Sequence, residues 1–350
     1  MATATEAPST LGPAWCGPRA EEAAMGPFLL RRVANYLVLV TLATCLGYFL
    51  AAASLNPRSN FDDRHPRPPA AVVDAKLNEL NLNDKTPIPE RFTHWAGGLL
   101  HGDLGKTIDE QPVADEMGRR AGVSLRLLFV GACVGAAAGV AAGFVCALRQ
   151  YKPSDHAITF VSFVVLSTPV FLLAVLLKIG AVKVNTAVGS TVLPYTGEYS
   201  PGLGGGWFRH LTDRAQHLIL PTLAFALGQA AFFSRYQRSA MLDVLSADYI
   251  RTARATGLRR GKALVWHGLR TALIPMATLF AYQFGLLLTG ATFTEKIFGW
   301  HGMGEWFVDA VGRNDVNSVA AMVLFTAVLV LIAGLVSDLA HALLDPRIRI

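Results

Sequence analysis

Residues 319–344 have the sequence VAAMVLFTAVLVLIAGLVSDLAHALL, an apolar run in which the first ionisable side chain is that of Asp338. A helix of about 20 apolar residues crosses the hydrocarbon core of a bilayer, so this run predicts a transmembrane helix. The composition of the whole chain agrees, because 52% of its 350 residues are hydrophobic and 16% are charged. Soluble domains carry about 25% charged residues, so the composition argues against a water-soluble surface.

Five further apolar runs lie upstream of this one. They cover residues 33–55, 122–148, 157–182, 216–234 and 269–293. The first run exceeds the apolar segment of about 7–15 residues found in signal peptides, although residues 51–54 resemble a cleavage site. We therefore prefer an uncleaved helix to a signal peptide. Together the runs predict an all-α membrane protein with six transmembrane helices.

The polar segments between these runs define the rest of the organisation. Residues 1–27 lack apolar periodicity and predict a disordered N-terminal tail, which precedes a membrane domain at residues 28–350. Residues 56–120 are polar and contain several prolines, so we expect an extracytoplasmic loop region between helices 1 and 2. A second long polar loop, residues 235–270, separates helices 4 and 5.

The positions of lysine and arginine predict the orientation of the chain. Basic residues cluster at positions 31–32, 149–152, 235–270 and 347–349, and all four places fall on one side of a six-helix topology. Short cytoplasmic loops carry an excess of lysine and arginine, so both termini should be cytoplasmic. The net charge of +6 does not indicate a nucleic-acid partner, because the basic residues lie between apolar runs.

Motifs for catalysis, metals and nucleotides are missing from the sequence. A phosphate-binding loop needs glycine five positions before its Gly-Lys-Ser/Thr end, and Leu100 occupies that position before Gly105-Lys106-Thr107. The histidines and cysteines do not have the spacing of a metal site, and the serines in the apolar runs lack a partner base. We therefore expect no catalytic residue, no metal and no cofactor in this chain, which disfavours a membrane-embedded enzyme.

Ionisable groups are scarce inside the apolar runs. Asp338 and His341 lie near one end of the last run, and Arg126 lies near one end of the second. Secondary transporters that couple to ions or protons use such groups within the membrane. A stand-alone secondary transporter or channel is therefore the less favoured alternative.

Residues 247–275 form the most informative segment. Ala253, Ala255 and Gly257 are small residues in a basic stretch that we expect to be helical. Small residues allow a helix to approach a partner closely, and arginines can pair with the partner's carboxylates. The rule for cytoplasmic loops explains the positive charge of this segment, but it does not explain the spacing of the small residues.

The sequence from Asp248 to Leu258, DYIRTARATGL, followed by ALIP at residues 272–275, resembles the cytoplasmic EAA loop of binding-protein-dependent ABC importer permeases. The match is closest to the oligopeptide and dipeptide branch. Further matches are GDLG at residues 102–105, FGWHGMG at 298–304 and DPRIR at 345–349. The resemblance extends from about residue 28 to the end of the chain.

The sequence departs from the family pattern at a few positions. Thr256 stands where relatives usually have lysine, and His301 stands where proline is usual before Gly302-x-Gly304. Residues 312–317 also differ from the usual pattern, and the N-terminal tail is longer. The first two departures concern the details of coupling and gating.

The resemblance implies a complex in the cytoplasmic membrane of a bacterium. A type I importer permease of this branch pairs with a homologous second permease, and two cytoplasmic ATPase subunits bind ATP and magnesium. An extracytoplasmic solute-binding protein delivers peptides, or nickel or glutathione in other members of the branch. The resemblance assigns the ATPase-coupling helix to Arg251, Thr252, Ala253, Arg254, Ala255, Gly257 and Leu258. Within it, Ala253 and Gly257 are expected to make close contacts, and Arg251 and Arg254 polar contacts.

Overall fold

A computed structural model describes residues 18–62 and 65–344, with side chains described except at residues 18–29, 260, 281–282, 284–290, 337 and 339–344. The described part is built from helices, with an isolated bridge between Lys106 and Pro112. The helices are α1 (Pro18–Ser54), α2 (Ser59–Asp62), α3 (Ala70–Glu79), α4 (Ile88–Leu99), α5 (Val113–Leu148), α6 (Pro153–Ser167), α7 (Val170–Val188), α8 (Trp207–Ser246), α9 (Asp248–Ala255), α10 (Arg260–Ala263), a π-helical turn (Leu264–Leu269), α11 (Arg270–Phe298), α12 (Met303–Gly312) and α13 (Val316–Leu344).

Within the described residues, six helical segments are long and apolar enough to cross a membrane. They lie in α1, α5, α7, α8, the segment from α10 into α11, and α13. The prediction of an all-helical protein with six membrane spans is therefore confirmed.

The first helix begins earlier than expected. Helix α1 starts at Pro18, so residues 18–27 are helical, although they were expected to belong to the disordered tail. Proline is favoured in the first turn of a helix, and the following residues are rich in alanine and glutamate, which are good helix formers. Residues 1–17 of the expected tail and residues 345–350 lie outside the described residues.

The third predicted span is not one helix. Helix α6 ends at Ser167 and α7 begins at Val170, whereas we expected a continuous helix over residues 157–182. The break lies at Pro169, which has no N–H and disfavours a helical conformation at the preceding residue. Thr168 is accordingly extended, with φ −95° and ψ 124°. Helix α7 is the spanning part and continues to Val188.

Helix α8 extends beyond both ends of the predicted fourth span at residues 216–234. It runs from Trp207 to Ser246 because polar residues near its ends make hydrogen bonds and an ion pair with other segments of the chain. Asp213 accepts hydrogen bonds from the backbone N–H and the hydroxyl of Ser200, at 2.8 and 2.7 Å. Arg238 makes a bidentate ion pair with Asp155 of α6, at 2.8 and 2.9 Å.

Helices α5 and α8 form the closest pair in the bundle. Gly131, Gly135, Gly139 and Gly143 of α5 lie against α8. A Cβ atom on Gly139 would lie 2.7 Å from the carbonyl oxygen of Ala230, and one on Gly143 would lie 2.5 Å from that of Ser234. Larger residues would therefore force the two backbones apart. The prediction that this stripe serves helix packing within the chain is confirmed.

The loop region between α1 and α5 is a small helical unit packed on the bundle. Its buried residues Leu77, Leu82 and Trp95 share one apolar cluster with Met303 of α12 and Ala320 of α13. The indole N–H of Trp95 donates a hydrogen bond to the carbonyl oxygen of Leu104 at 3.1 Å. This unit and α12 lie at the same end of the bundle, which we call the α12 end. Helix α9 lies at the opposite end, which we call the α9 end.

Candidate functional site

The site that the sequence singled out is helix α9, and one apolar side chain anchors it to the bundle. Ile250 is buried in a cluster with Met241 and Val244 of α8, together with Leu264 of the π-helical turn. Ala147 of α5 and Ala272 of α11 belong to the same cluster. Helix α9 thus packs on α8 and the π-helical turn, and its apolar cluster also includes residues of α5 and α11.

The remaining surface of α9 is directed outward. Arg251, Thr252, Arg254 and Ala255 are exposed, and Ala253 is half-buried. The helix is thus amphipathic, with a single buried position and a face of small and basic residues that has no covering element in the described part of the chain. Among the predicted site residues, the structure brings Arg251, Thr252, Ala253, Arg254 and Ala255 together on this helix.

The last two predicted site residues form the end of α9. Gly257 has φ +94°, its N–H donates to the carbonyl oxygen of Arg254 at 3.1 Å, and the N–H of Leu258 donates to that of Ala253 at 3.3 Å. These bonds constitute a Schellman motif, in which glycine is strongly favoured. A Cβ atom on Gly257 would meet no neighbour within 4 Å. Within this chain, Gly257 is therefore needed for its backbone conformation, and its contact with a partner stays a prediction.

The arginines of α9 are available to a partner. Arg251 lies 3.4 Å from Asp248, but the side chains are 76% and 94% exposed, and such surface pairs contribute about 0–1 kcal/mol. Arg254 makes no ion pair with any carboxylate in the part of the chain that the structure describes. Two exposed guanidinium groups on a short, anchored helix suit recognition of an acidic surface.

The π-helical turn that connects α9 to α11 is also tightly packed. A Cβ atom on Gly268, in the π-helical turn, would lie 2.9 Å from Val244 Cγ1. The same atom would lie 3.7 Å from Ile250 Cδ1. Because π-helical turns are rare and concentrate at functional sites, this turn agrees with a functional role for the segment. It holds α9 close to the start of α11.

The two departures from the family pattern have local partners. The hydroxyl of Thr256 donates to the carbonyl oxygen of Ala253 at 2.9 Å, so this side chain helps to end α9. His301 Nδ1 lies 2.9 Å from a carboxylate oxygen of Glu305 in α12. Thr256 is therefore at the α9 end of the bundle, and His301 is at the α12 end.

Sequence reasoning missed a buried carboxylate at the α12 end. Glu295 of α11 is fully buried and accepts hydrogen bonds from the N–H groups of Gly304 and Glu305, at 2.8 and 3.1 Å. Ser124 of α5 donates to Glu295 at 2.5 Å and accepts from the N–H of Met303 at 2.7 Å. Glu295 and Ser124 thus cap the N-terminus of α12, where unpaired N–H groups favour a negative charge.

Glycine makes this cap possible. A Cβ atom on Gly302 would lie 2.5 Å from both the Glu295 carboxyl carbon and the Ser124 hydroxyl oxygen. A usable signal was present, because a glutamate precedes two closely spaced glycines at the start of a helix. The partner Ser124 lies far away in sequence, however, and only the tertiary structure identifies it.

Side chains that could bind a metal ion are scattered in the described part of the chain. Across the described ranges, no group of three His, Cys, Asp or Glu side chains is placed to hold a metal ion. The expected absence of cofactors in this chain stays a prediction.

Comparison with known proteins gives the relationships of the chain. Residues 139–350 match the family described as "Binding-protein-dependent transport system inner membrane component". The chain is 55% identical to the oligopeptide transport system permease protein OppB of Mycobacterium tuberculosis over 326 residues, which is 93% of this chain and 100% of that protein.

Two more distant relatives carry related names. The oligopeptide transport system permease protein AppB of Bacillus subtilis is 33% identical over 329 residues, covering 93% of this chain and 100% of AppB. The dipeptide transport system permease protein DppB of Escherichia coli K12 is 34% identical over 287 residues, covering 78% and 84% of the two chains.

Proposed function

The chain belongs to the family of binding-protein-dependent transport system inner membrane components, and from this premise we propose that it is a permease subunit of an ATP-driven peptide importer. Members of this family are non-catalytic membrane subunits of ABC transporters. The observation that carries the proposal is the similarity to OppB, which covers 93% of this chain. The peptide substrate follows the names of OppB, AppB and DppB.

Helix α9 is the element that receives the ATPase. Its exposed face combines small residues for close approach with Arg251 and Arg254 for charge pairing. Ile250 fixes the helix to a cluster that includes α5, α8 and α11. When two ATPase subunits close on ATP and magnesium, they move α9, and the movement shifts the bundle between inward-facing and outward-facing states.

The other partners follow from the same assignment. A homologous second permease completes the membrane part of the transporter. An extracytoplasmic solute-binding protein docks at the α12 end, where residues 56–120 form a folded helical unit on α12. The chain itself binds no nucleotide, because ATP and magnesium belong to the partner subunits.

The orientation places both termini in the cytoplasm of a bacterium, with α9 on the same side. It is supported by basic residues on and after α9, such as Arg251, Arg254 and Arg259, and at residues 149–152. The acidic and mixed segment around α12 then faces the outside. This arrangement agrees with the rule that basic residues accumulate in cytoplasmic loops.

The proposal is tested by purifying the tagged protein in mild detergent and identifying the proteins that accompany it. We expect a second permease and ATPase subunits, and ATP-dependent uptake of peptides after reconstitution with the binding protein. A protein that purifies alone and transports without ATP would contradict the proposal and favour a secondary transporter. ATP-dependent uptake of nickel or glutathione, with none of peptides, would contradict the substrate.

A further inference from the structure

The part of α8 beyond Ser234 carries an unusual polar face. Arg235, Tyr236, Ser239 and Asp243 are exposed, and Phe232 lies one turn before them. At about 100° of rotation per residue, these five positions fall within an arc of about 100° on the helix. We call this face, formed by Phe232, Arg235, Tyr236, Ser239 and Asp243, the α8 track.

The α8 track borders a cleft that it shares with α11. Tyr236, Ser239 and Asp243 border a cleft whose other wall includes Pro275 and Met276 of α11. That part of α11 belongs to a segment long and apolar enough to span a membrane. Hydrocarbon does not solvate carboxylates or guanidinium groups, which face water or protein when they occur at this depth.

The track joins two clefts. One cleft of about 570 Å³ lies between α6 and α8, with Thr159 and Phe163 opposite the track. The other, of about 480 Å³, lies between α8 and α11. Both are lined by Tyr236 and Ser239, so the track borders a cleft of mixed polar and apolar character toward α6 and a mainly apolar cleft toward α11.

A groove elsewhere in the bundle is mainly apolar, unlike the cleft between α6 and α8. Between α1 and α13 there is a groove of about 550 Å³ lined mainly by aliphatic side chains such as Leu39, Val40 and Val330. Such a lining suits lipid tails. The α8 track instead mixes hydroxyl groups, aromatic rings and charges, which suits a passing molecule with both polar and apolar parts.

The two charged side chains of the track, Arg235 and Asp243, make no ion pair in the part of the chain that the structure describes. The Arg235 guanidinium lies 4.4 Å from the centre of the Phe163 ring, and no described carboxylate is within ion-pair distance of it. Arg238, one turn away, is already paired with Asp155. Asp243 likewise has no ion pair in residues 18–62 and 65–344.

The backbone positions of Arg235 and Asp243 are separated by about the length of a short peptide. Arg235 and Asp243 are eight positions apart on one helix, which corresponds to about 12 Å of rise. An extended chain spans about 3.3–3.6 Å per residue. A peptide of about three or four residues therefore matches the spacing of these two positions along α8.

We propose that the α8 track lines the inner half of the peptide's path through the membrane, with Arg235 contacting the peptide's carboxyl terminus. Tyr236 and Ser239 contact its main chain, and Phe163 and Phe232 contact its side chains. This inference rests on the proposed function as a peptide importer and names residues that its substrate touches.

The first test measures whether water reaches the track in the assembled transporter. The test uses two single-cysteine variants, which are made after replacing Cys16, Cys45, Cys133 and Cys146. They are Ser239→Cys on the track and Leu42→Cys on α1, a position that is 60% exposed in this chain and serves as a lipid-facing control. A membrane-impermeant maleimide is added from the cytoplasmic side. Because the reactive thiolate forms in water, we expect S239C to react at least about tenfold faster than L42C. A transported peptide should slow the S239C reaction.

The second test measures recognition of the carboxyl terminus. Uptake of one tripeptide is compared with that of its C-terminally amidated form, for the wild type, Arg235→Gln and Arg235→Lys. A charge-assisted hydrogen bond predicts that R235Q shrinks the preference for the free carboxylate by about tenfold, while R235K retains most of it. Arg209→Gln, an exposed position at the other end of α8, is the matched control and should leave the preference unchanged.

Each outcome distinguishes the alternatives. Equal, slow labelling of S239C and L42C would overturn the proposal and assign the α8 track to the second permease or to lipid. An unchanged preference in R235Q would overturn the role of Arg235. If the wild type takes up neither peptide in the presence of ATP, the proposed function itself fails. If the wild type takes up peptide but the track is not labelled, only the inference about the track fails.

Discussion

Two short helices, α9 and α12, occupy opposite ends of the bundle and differ in how completely the chain satisfies them. Helix α12 buries Met303, Glu305 and Trp306, and its N-terminal N–H groups are capped by Glu295 and Ser124. Helix α9 buries Ile250 and presents the rest of its surface outward. The contrast teaches that this chain covers and caps α12 itself, whereas it leaves most of α9 uncovered, which is the surface that the proposed function assigns to a partner.

The largest expected effect concerns the cap of α12. Replacing Glu295 by alanine leaves the N–H groups of Gly304 and Glu305 buried without an acceptor, which should cost about 3 kcal/mol of unfolding free energy. Thermal unfolding of the purified protein in detergent measures this loss. Asp309→Ala is the control, because Asp309 is a 41% exposed member of an ion pair with Lys296. Equal stability of the two variants would show that the cap does not hold α12.

The next largest effect is expected at Ile250, the side chain that anchors α9 to the bundle. Ile250→Ala removes most of the side chain that joins α9 to Met241, Val244 and Leu264, which should weaken the local packing of α9 by about 2–4 kcal/mol. Hydrogen exchange should rise in α9 while α12 stays protected. Tyr249→Ala, at an exposed neighbouring position, should leave the exchange unchanged. Loss of protection throughout the bundle would contradict a local anchor.

A smaller effect is expected from the arginines of α9. The double variant Arg251→Ala and Arg254→Ala should retain wild-type stability but reduce co-purification of the ATPase subunits by about tenfold at low salt, and by less at high salt, because salt also screens the wild-type contact. Arg209→Ala with Arg214→Ala, at the opposite end of α8, provides a charge-matched control. Unchanged co-purification would remove the arginines from the interface.

The smallest effect is expected at Thr256. Lysine is usual here in relatives, and Thr256 is exposed, with a single hydrogen bond to Ala253. Thr256→Lys should change the unfolding free energy by less than about 0.5 kcal/mol and leave peptide uptake at the wild-type level. A large loss of uptake would show that the ATPase of this transporter distinguishes threonine from lysine.

The same contrast explains what the sequence predicts and what it does not. Membrane spans were predicted because apolar length is a local property, and the glycine stripe of α5 was predicted because its period matches a helix face. The predicted ends of α8 were wrong because Asp213 and Arg238 are polar residues whose partners, Ser200 and Asp155, lie in other segments of the chain. The pairing of Glu295 with Ser124 also depends on contacts between distant segments, and no local pattern shows it.

The central claim is that α9 couples this permease to its ATPase, and Gly257 tests it most directly. Gly257→Asp adds a side chain and a negative charge at the Schellman turn, and Gly261→Asp adds the same group at a nearby exposed position without a positive φ. Uptake of peptide and hydrolysis of ATP are measured in the same proteoliposomes of the full transporter. For G257D we predict normal insertion and continuing hydrolysis, with uptake reduced at least about tenfold, and for G261D wild-type behaviour. Normal uptake by G257D would contradict the assignment of α9 as the coupling helix.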